Sequence, residues 1–252
     1  MTPNSKLLKQ LRQMPVLGRA WRVIHENART SQSIDTRREI EEFAENAESN
    51  LTRIQRQLNR NAFVFAPAHG IAVPKKDKKT IRPLVVAPVE SRIVQRAILD
   101  VVLTVPSIQT YASSPFSFGG IKKGVDQELG AVPAAIQATL DSIRDGGTYI
   151  IRSDIASFFT RIPKPAVLKL VSDAVDDPGF MTIFKDAITI ELENLAELKK
   201  HAAAFPIFEI GVAQGNSLSP LLGNILLSHF DKELNGNDVR CIRYISVHSL
   251  YR

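Results

Sequence analysis

Two regions of the chain repeat apolar residues with a helical period. Residues 36–60 place them three and four positions apart, which predicts one amphipathic helix: Ile40, Phe43, Ala47, Leu51, Ile54 and Leu58. Thr36 and Glu39 have the spacing of a capping box at its start. Residues 90–103 also predict a helix, with one apolar face formed by Ile93, Val94, Ala97, Ile98 and Val101.

Three later regions predict further helices. Residues 164–175 and 180–200 each read as one helix. Residues 214–234 read as a glycine-containing loop that leads into a helix, and Ser219-Pro220 supplies a capping residue followed by proline at its start.

Between the helices, shorter apolar runs predict β-strands. Residues 62–88 predict a β-hairpin with the lysine-rich sequence KKDKK at its tip. Residues 146–159 read as a turn, then an extended apolar run that ends at Asp154, and residues 238–246 read as a short strand. Strands separated by helices in this way predict an α+β fold.

Composition agrees with a folded chain. The 252 residues are 44% hydrophobic and 23% charged, which is typical of a globular protein and suits one large or two small domains. There is no apolar run of transmembrane length, and the N-terminus lacks the apolar core of a signal peptide. Cys241 is the single cysteine, so no internal disulfide can form. A cytoplasmic location, with no membrane partner, is therefore expected.

Positive charge is concentrated at the beginning of the chain. The net charge is +6, and residues 1–100 hold 18 Lys and Arg against 10 Asp and Glu. A basic region beside a nearly neutral one favours a polyanionic partner such as nucleic acid. Charge alone is equally compatible with a soluble basic protein that has no such partner.

Two local features could bind a ligand. Asp154, at the end of an apolar strand, could ligate a divalent metal through its carboxylate oxygens, although a strand-ending Asp more often caps the following turn. The Gln214-Gly215 loop precedes a helix, whose N-terminal amides favour a phosphate or a nucleotide, and Gly215 permits close backbone approach. An ordinary capped helix would look the same.

Four stretches of the chain, taken in order, resemble motifs of the reverse transcriptase family. The resemblance is to the bacterial group that includes group II intron, retron and phage-defence enzymes. Residues 73–98 contain a lysine turn, Arg-Pro-Leu and Arg-Ile-Val-Gln, as in the family's fingers. Residues 116–125 contain a similar Ser-Phe-Gly. Residues 149–163 and 211–227 resemble the family's motifs A and B. The resemblance covers roughly residues 62–245.

The resemblance implies a role for each candidate residue. Asp154 would be the motif A metal ligand, with the Ile155 carbonyl helping to hold a second Mg²⁺ or Mn²⁺. Phe159, five residues later, would exclude a ribose 2′-hydroxyl, although core packing also explains Phe158 and Phe159. Fixed cations would contact the triphosphate, and two loop residues would line the nucleotide and template base. These are Lys75, Lys76, Arg82, Gln214 and Gly215.

It also implies an architecture and partners. The expected fold is that of a right-hand polymerase with fingers and palm, in which an RRM-like antiparallel palm sheet packs on helices. The expected divisions are a basic helical extension (1–60), fingers (61–145) and an incomplete palm (146–252), with the thumb absent. Expected partners are an RNA template with a DNA primer or a structured non-coding RNA, a dNTP, and a protein partner that stays unidentified.

The sequence departs from the family at motif C, a strand that carries aromatic-x-Asp-Asp. Arg243, Tyr244 and Ile245 match, but Ser246 and Val247 stand where the two acids are expected. Asp238 is the nearest acid before Ser246, and an extended strand of that length spans about 26 Å. A single carboxylate should hold a two-metal site poorly. We therefore expect a chain that is inactive alone.

Two further readings stay open. One is a non-catalytic nucleic-acid-binding or scaffold subunit that retains the polymerase fold, in phage defence for example. The other is an unrelated basic α+β protein.

Overall fold

The computed structural model describes residues 6–75, 80–120, 130–236 and 239–251 of the chain, and its fold is α+β, as predicted. The helices and strands follow one another in this order: α1 (Lys6–Leu11), α2 (Met14–Arg29), α3 (Ile34–Glu45), α4 (Ala47–Asn59), β1 (His69–Pro74), β2 (Ile81–Val86), α5 (Val89–Val102), α6 (Pro106–Ala112), β3 (Ser117–Phe118), α7 (Ala131–Arg144), β4 (Ile150–Asp154), α8 (Lys164–Ala174), α9 (Pro178–Ile188), α10 (Ser219–Leu234), β5 (Arg240–Tyr244) and β6 (Val247–Tyr251). Within these ranges no helix is long and apolar enough to cross a membrane.

The main core lies among the helices, around α5. All five residues of its predicted apolar face are buried, and α5 also packs against α2 and α9. The predicted single helix over 36–60 is wrong, because the chain leaves helical geometry at Asn46 (φ −130°, ψ 33°) and forms α3 and α4. The break lets the two shorter helices turn separately toward the core. Their buried side chains are Ile40, Phe43, Leu51, Ile54 and Leu58.

The predicted capping box is also wrong. The Ser33 side chain accepts a hydrogen bond from the Thr36 amide (3.2 Å), so α3 begins earlier than expected. The Glu39 carboxylate instead accepts from the Val89 amide at the start of α5 (2.9 Å). The Glu39 side chain therefore bonds to a residue 50 positions away in sequence, and not to the start of its own helix as the local spacing predicted.

The predicted helix over 180–200 ends early, at Ile188. Asp177 caps α9 as its side chain accepts from the Phe180 amide (3.0 Å). After Ile188 the chain runs beside β1, where Asn194 accepts from the Gly70 amide (2.8 Å) and donates to the Gly70 carbonyl (2.9 Å). Ala68 and Glu191 add a backbone bond of 2.8 Å. These hydrogen bonds to β1 and Ala68 replace the backbone hydrogen bonds that a continued helix would have formed.

The predicted β-hairpin is confirmed over its described part. β1 and β2 pair antiparallel, with His69 opposite Val86 and Pro74 opposite Ile81. Its KKDKK tip lies largely outside the described residues, since 76–79 are not among them. The predicted helix over 164–175 corresponds to α8. Ser219 is the first residue of α10 rather than its cap, and its hydroxyl donates to the Ala213 carbonyl (2.7 Å).

A four-stranded sheet in the order β3-β5-β6-β4 forms the second part of the fold. The strand predicted over residues 238–246 is present as β5, which is shorter and ends at Tyr244. Ile245 and Ser246 then form a two-residue turn, and the chain returns as β6, which was not predicted. β6 pairs antiparallel with both β5 and β4, and β4 is an exposed edge strand. Asp154 is thereby placed directly opposite Val247.

A buried ion pair joins this sheet to α10. The Arg243 guanidinium on β5 donates three hydrogen bonds to the Asp231 carboxylate, at 2.6 to 3.0 Å. The two side chains are 1% and 2% exposed. Arg243 also donates to Asn224 (3.0 Å) and to the Ile245 carbonyl (2.8 Å), so its donors fix both α10 and the turn.

A second junction joins the β1–β2 hairpin to the loop before α10. The Val85 amide donates to the Gln214 carbonyl (3.0 Å). Gly215 adopts φ +127°, and a Cβ atom there would lie 2.5 Å from the Val85 carbonyl oxygen. The protein's own backbone therefore requires glycine at this position.

Replacing Asp231 tests the ion pair. We expect Asp231→Asn to lower the free energy of unfolding by about 3–5 kcal/mol, because it leaves the Arg243 charge buried without a counter-charge. Asp173→Asn is the control, since its ion pair with Lys169 is exposed and worth about 1 kcal/mol or less. Urea unfolding of the three proteins measures both values. Equal losses in the two variants would contradict the special role of Arg243–Asp231.

Replacing Gly215 tests the second junction. Gly215→Ala should lower the free energy of unfolding by about 1–3 kcal/mol, through the strained φ and the contact with the Val85 carbonyl. Gly18→Ala, within α2, is the matched control, because a Cβ atom added there would have nothing within 4 Å of it. That change should raise stability by about 0.5–1 kcal/mol. Thermal unfolding that showed stabilisation by both changes would refute the requirement for glycine.

Candidate functional site

The end of β4 and the β5–β6 turn meet at one edge of the sheet. The Ser246 hydroxyl donates to Oδ1 of Asp154 at 2.9 Å, and the Ile155 amide donates to the Ser246 carbonyl at 3.1 Å. Asp154 is exposed. Ser246 stands at the position of the first acid expected in motif C. Its side chain is therefore in direct contact with the carboxylate of Asp154.

A cleft of about 1,050 Å³ opens in front of Asp154. It brings together six of the eight residues predicted for the site, from the β1–β2 hairpin, from the segment after β4 and from the loop before α10. They are Lys75, Arg82, Asp154, Ile155, Phe159 and Gln214. Lys76 lies outside the described residues. Gly215 lines a separate cavity behind the loop.

The basic side chains of the cleft come from both of its sides. Lys75 and Arg82 are exposed on the hairpin, and the Lys75 amide donates to the Thr80 carbonyl (2.8 Å) next to its tip. Arg161 lies on the segment after β4, on the other side of the cleft. It was not predicted from the sequence, although it follows Phe159 by only two residues. Cations on two sides of one cleft suit a ligand that carries several phosphates.

The two phenylalanines after Asp154 have different surroundings. Phe158 is buried against α10, where the absence of a side chain at Gly223 makes room for its ring. Phe159 is half-buried, and its carbonyl accepts from the Val212 amide at 2.8 Å. The core-packing alternative therefore applies most directly to Phe158, whereas Phe159 is available to shape the cleft.

The far wall of the cleft depends on a buried lysine. Lys164 donates from Nζ to the Pro206 carbonyl (3.2 Å) and to the Phe208 carbonyl. Burial lowers the pKa of Lys164, while Glu209 opposes the shift. Lys164 thus fixes the 206–210 segment, and Glu209 in that segment is the second acidic residue that lines the described part of the cleft.

Behind the turn, β6 carries His248, which is 3% exposed. Burial lowers the pKa of His248, and the adjacent Arg243 lowers it further. The lowered pKa favours the neutral form of the imidazole over a cation beneath Asp154. Its ring packs edge-on against Phe230 at a centroid distance of 5.2 Å.

The side chains around Asp154 do not fit a two-metal centre. Over the residues that the structure describes, no three His, Cys, Asp or Glu side chains lie close enough together to hold a metal ion. Asp154 and the Ile155 carbonyl supply oxygen atoms, but their near neighbour Ser246 offers a neutral hydroxyl. Two divalent cations require more negative charge than this set provides.

Comparison with known proteins identifies relatives of the chain. It is 30% identical over 170 residues to Protein YkfC of Escherichia coli (strain K12), a match that covers 67% of this chain and 41% of that protein. It is 25% identical over 189 residues to the putative COX1/OXI3 intron 2 protein of Saccharomyces cerevisiae, over 74% of this chain and 20% of that protein. The chain thus spans less than half the length of these relatives.

A solved structure and a family model agree with these matches. A chain of a partial Cas6-RT-Cas1--Cas2 complex superposes on 98% of this chain with a TM-score of 0.54 and 20% identity, over 38% of its own length, which shows a shared fold. The family model for reverse transcriptase (RNA-dependent DNA polymerase) matches residues 73–245. These residues include β2, Asp154 and the Gln214–Gly215 loop. The chain belongs to the reverse transcriptase family.

Proposed function

We propose that this chain is the fingers-and-palm part of a reverse transcriptase domain, which binds template–primer and a deoxynucleotide but does not extend a primer alone. One observation carries the second half of this proposal. The Ser246 hydroxyl lies 2.9 Å from Oδ1 of Asp154, where the family's motif C would bring a carboxylate. The cleft therefore has the shape of a polymerase site and lacks its acidic pair.

The architecture supports the first half. We assign residues 1–60 to a basic helical extension, 61–145 to the fingers and 146–252 to an RRM-like palm, and we assign no segment to a thumb. The antiparallel pairing of β4, β6 and β5, with α10 behind them, is the support for the palm. The hairpin that carries Lys75 and Arg82 over the cleft is the support for the fingers.

Each side chain of the cleft then has a binding role. Lys75, Arg82 and Arg161 contact the phosphates of the nucleotide and the nucleic acid, and Arg82 can do so with two parallel hydrogen bonds. Phe159 packs against the sugar and excludes a 2′-hydroxyl. Gln214, held by the Val85 amide through its carbonyl, positions the nucleotide beside the template base.

The chemistry of the family explains why binding does not suffice. Reverse transcriptases use divalent metals, and Mg²⁺ or Mn²⁺ would serve this family by activating the primer hydroxyl. Among the described residues, Asp154 would be the one carboxylate ligand beside the turn. We therefore assign the cleft to binding and assign no transfer step to its residues.

A second candidate function is a non-catalytic scaffold subunit that binds RNA in phage defence. The excess of Lys and Arg in residues 1–100 favours it, because positive charge outside the cleft attracts nucleic acid without any need for catalysis. One structural relative is part of a Cas6-RT-Cas1--Cas2 complex, a name that describes an assembly of several proteins. The two functions differ in whether nucleic acid and dNTP occupy the Asp154 cleft.

Primer extension and binding test the proposal together. With an RNA template, a DNA primer, dNTPs and Mg²⁺ or Mn²⁺, extension should stay at the level of the Asp154→Asn variant. Fluorescence anisotropy should show template–primer binding that weakens with salt, since phosphate contacts release counterions. Arg82→Gln should weaken dNTP-dependent retention of the duplex by about tenfold, a loss expected for one charged hydrogen-bonding contact.

The possible outcomes separate the hypotheses. Extension that requires Asp154 would overturn the claim of inactivity. RNA binding that is insensitive to Arg82→Gln and to dNTP would favour the scaffold function. Absence of RNA binding at low salt would exclude both.

Adding a carboxylate tests the electrostatic argument directly. Ser246→Asp should create a Mn²⁺ site with affinity at least about tenfold above that of the native chain, since two carboxylates would then share one cation. Ser246→Asn is the matched control, because the Asn side chain has nearly the same shape as Asp but carries no charge. Titration of Mn²⁺ followed by electron paramagnetic resonance measures the affinity. Equal Mn²⁺ binding by the Asp and Asn variants would show that residue 246 does not face the metal position.

A further inference from the structure

A second cavity, of about 250 Å³, lies behind the Gln214–Gly215 loop, and we call it the rear cavity. Successive residues of the loop line different spaces, since Gln214 lines the cleft and Gly215 lines the rear cavity. No described residue lines both spaces. The rear cavity is thus separate from the cleft, and Gly215 is the one residue predicted for the nucleotide site that the structure places at the rear cavity.

One wall of the rear cavity is aromatic. Phe63 and Phe65 are both half-buried, and their rings pack edge to face at a centroid distance of 5.1 Å. They belong to the extended segment that precedes β1. A wall of this kind presents flat apolar surface to a planar ring.

Two buried polar side chains line the same cavity from α5. Ser91 and Gln95 are one helical turn apart and are only 2% and 7% exposed. Gln95 donates from Nε2 to the Ala187 carbonyl (3.1 Å). Among the described residues, neither the Ser91 hydroxyl nor Oε1 of Gln95 has a hydrogen-bond partner. Both residues line the cavity and both oxygens can accept hydrogen bonds, so they suit a ligand with N–H donors.

The charge of the rear cavity is opposite to that of the cleft. Asp186 and Glu191 line it and are exposed, and none of the described lining residues is Lys, Arg or His. An anionic ligand such as a phosphate would meet two carboxylates without a counter-charge. A cation would be attracted to them.

We propose that the rear cavity binds a small planar aromatic cation of the aryl amidine or aryl guanidine class. The ring packs on Phe63 and Phe65, the N–H groups donate to Ser91 and Gln95, and Asp186 and Glu191 stabilise the positive charge. The volume accommodates a single ring with one substituent. This binding site is independent of whether the cleft holds nucleic acid.

Three ligands of equal shape test the site, namely benzamidine, its neutral analogue benzamide and the anion benzoate. Each is titrated into the full chain and followed by protein-observed NMR or calorimetry. Benzamidine should bind saturably, benzamide about tenfold more weakly through loss of the charge, and benzoate not at all. Binding of benzoate as tight as that of benzamidine would overturn the proposal.

Variants locate the binding and separate it from the cleft. Ser91→Leu fills the rear cavity and should abolish benzamidine binding, with circular dichroism reporting whether the variant is folded. Asp186→Asn, an exposed change that keeps the fold, should weaken benzamidine about tenfold and leave benzamide unchanged. Asp173→Asn on α8 is its control. Loss of benzamidine binding in Asp154→Asn, or native affinity in Asp186→Asn, would place the cation elsewhere and refute the site.

Discussion

The buried ion pair between Arg243 and Asp231 determines where the candidate site lies. Removing both charges from water costs several kcal/mol, and the structure offsets this cost with three hydrogen bonds between them. Because Arg243 also donates to the Ile245 carbonyl, the turn cannot move independently of α10. Asn224 on α10 accepts from both Arg243 and Ser117, so β3 is held by the same network. The distance between Ser246 and Asp154 is therefore a consequence of charges buried behind the sheet.

The Gln214–Gly215 loop is the corresponding constraint on the other side of the cleft. Its pairing with Val85 joins the basic hairpin to α10, and the positive φ of Gly215 allows the two backbones to meet. The Gln214–Gly215 loop consequently lines both the cleft and the rear cavity, which carry charges of opposite sign. The cleft attracts anions through Lys75, Arg82 and Arg161, whereas the rear cavity attracts cations through Asp186 and Glu191.

Sequence predicted those elements whose pattern is local. The apolar face of α5, the β1–β2 hairpin and the acid that ends β4 follow from residue spacing alone, and six predicted site residues meet in one cleft. Contacts distant in sequence explain the failures. Asn194 forms a hydrogen bond with Gly70 and holds the chain extended after Ile188. Glu39 accepts a hydrogen bond from the Val89 amide and does not form the predicted capping box. β6 was missed because its pairing with both β4 and β5 is visible only in the folded sheet, and Arg161 because its segment has no periodic signal.

The turn at Ile245 and Ser246 keeps its geometry without an acidic side chain at either of positions 246 and 247. Ile245 has a positive φ (58°), an unfavourable conformation for a β-branched residue, and the bond from Arg243 to its carbonyl helps to maintain it. Acids at positions 246 and 247 would add negative charge beside Asp154, a repulsion that only a bound cation relieves. Ser246 instead gives Asp154 a hydrogen bond, and Val247 is neutral. The turn therefore avoids the electrostatic cost of further acids beside Asp154, and the bond from Arg243 maintains its shape whichever side chains stand at positions 246 and 247.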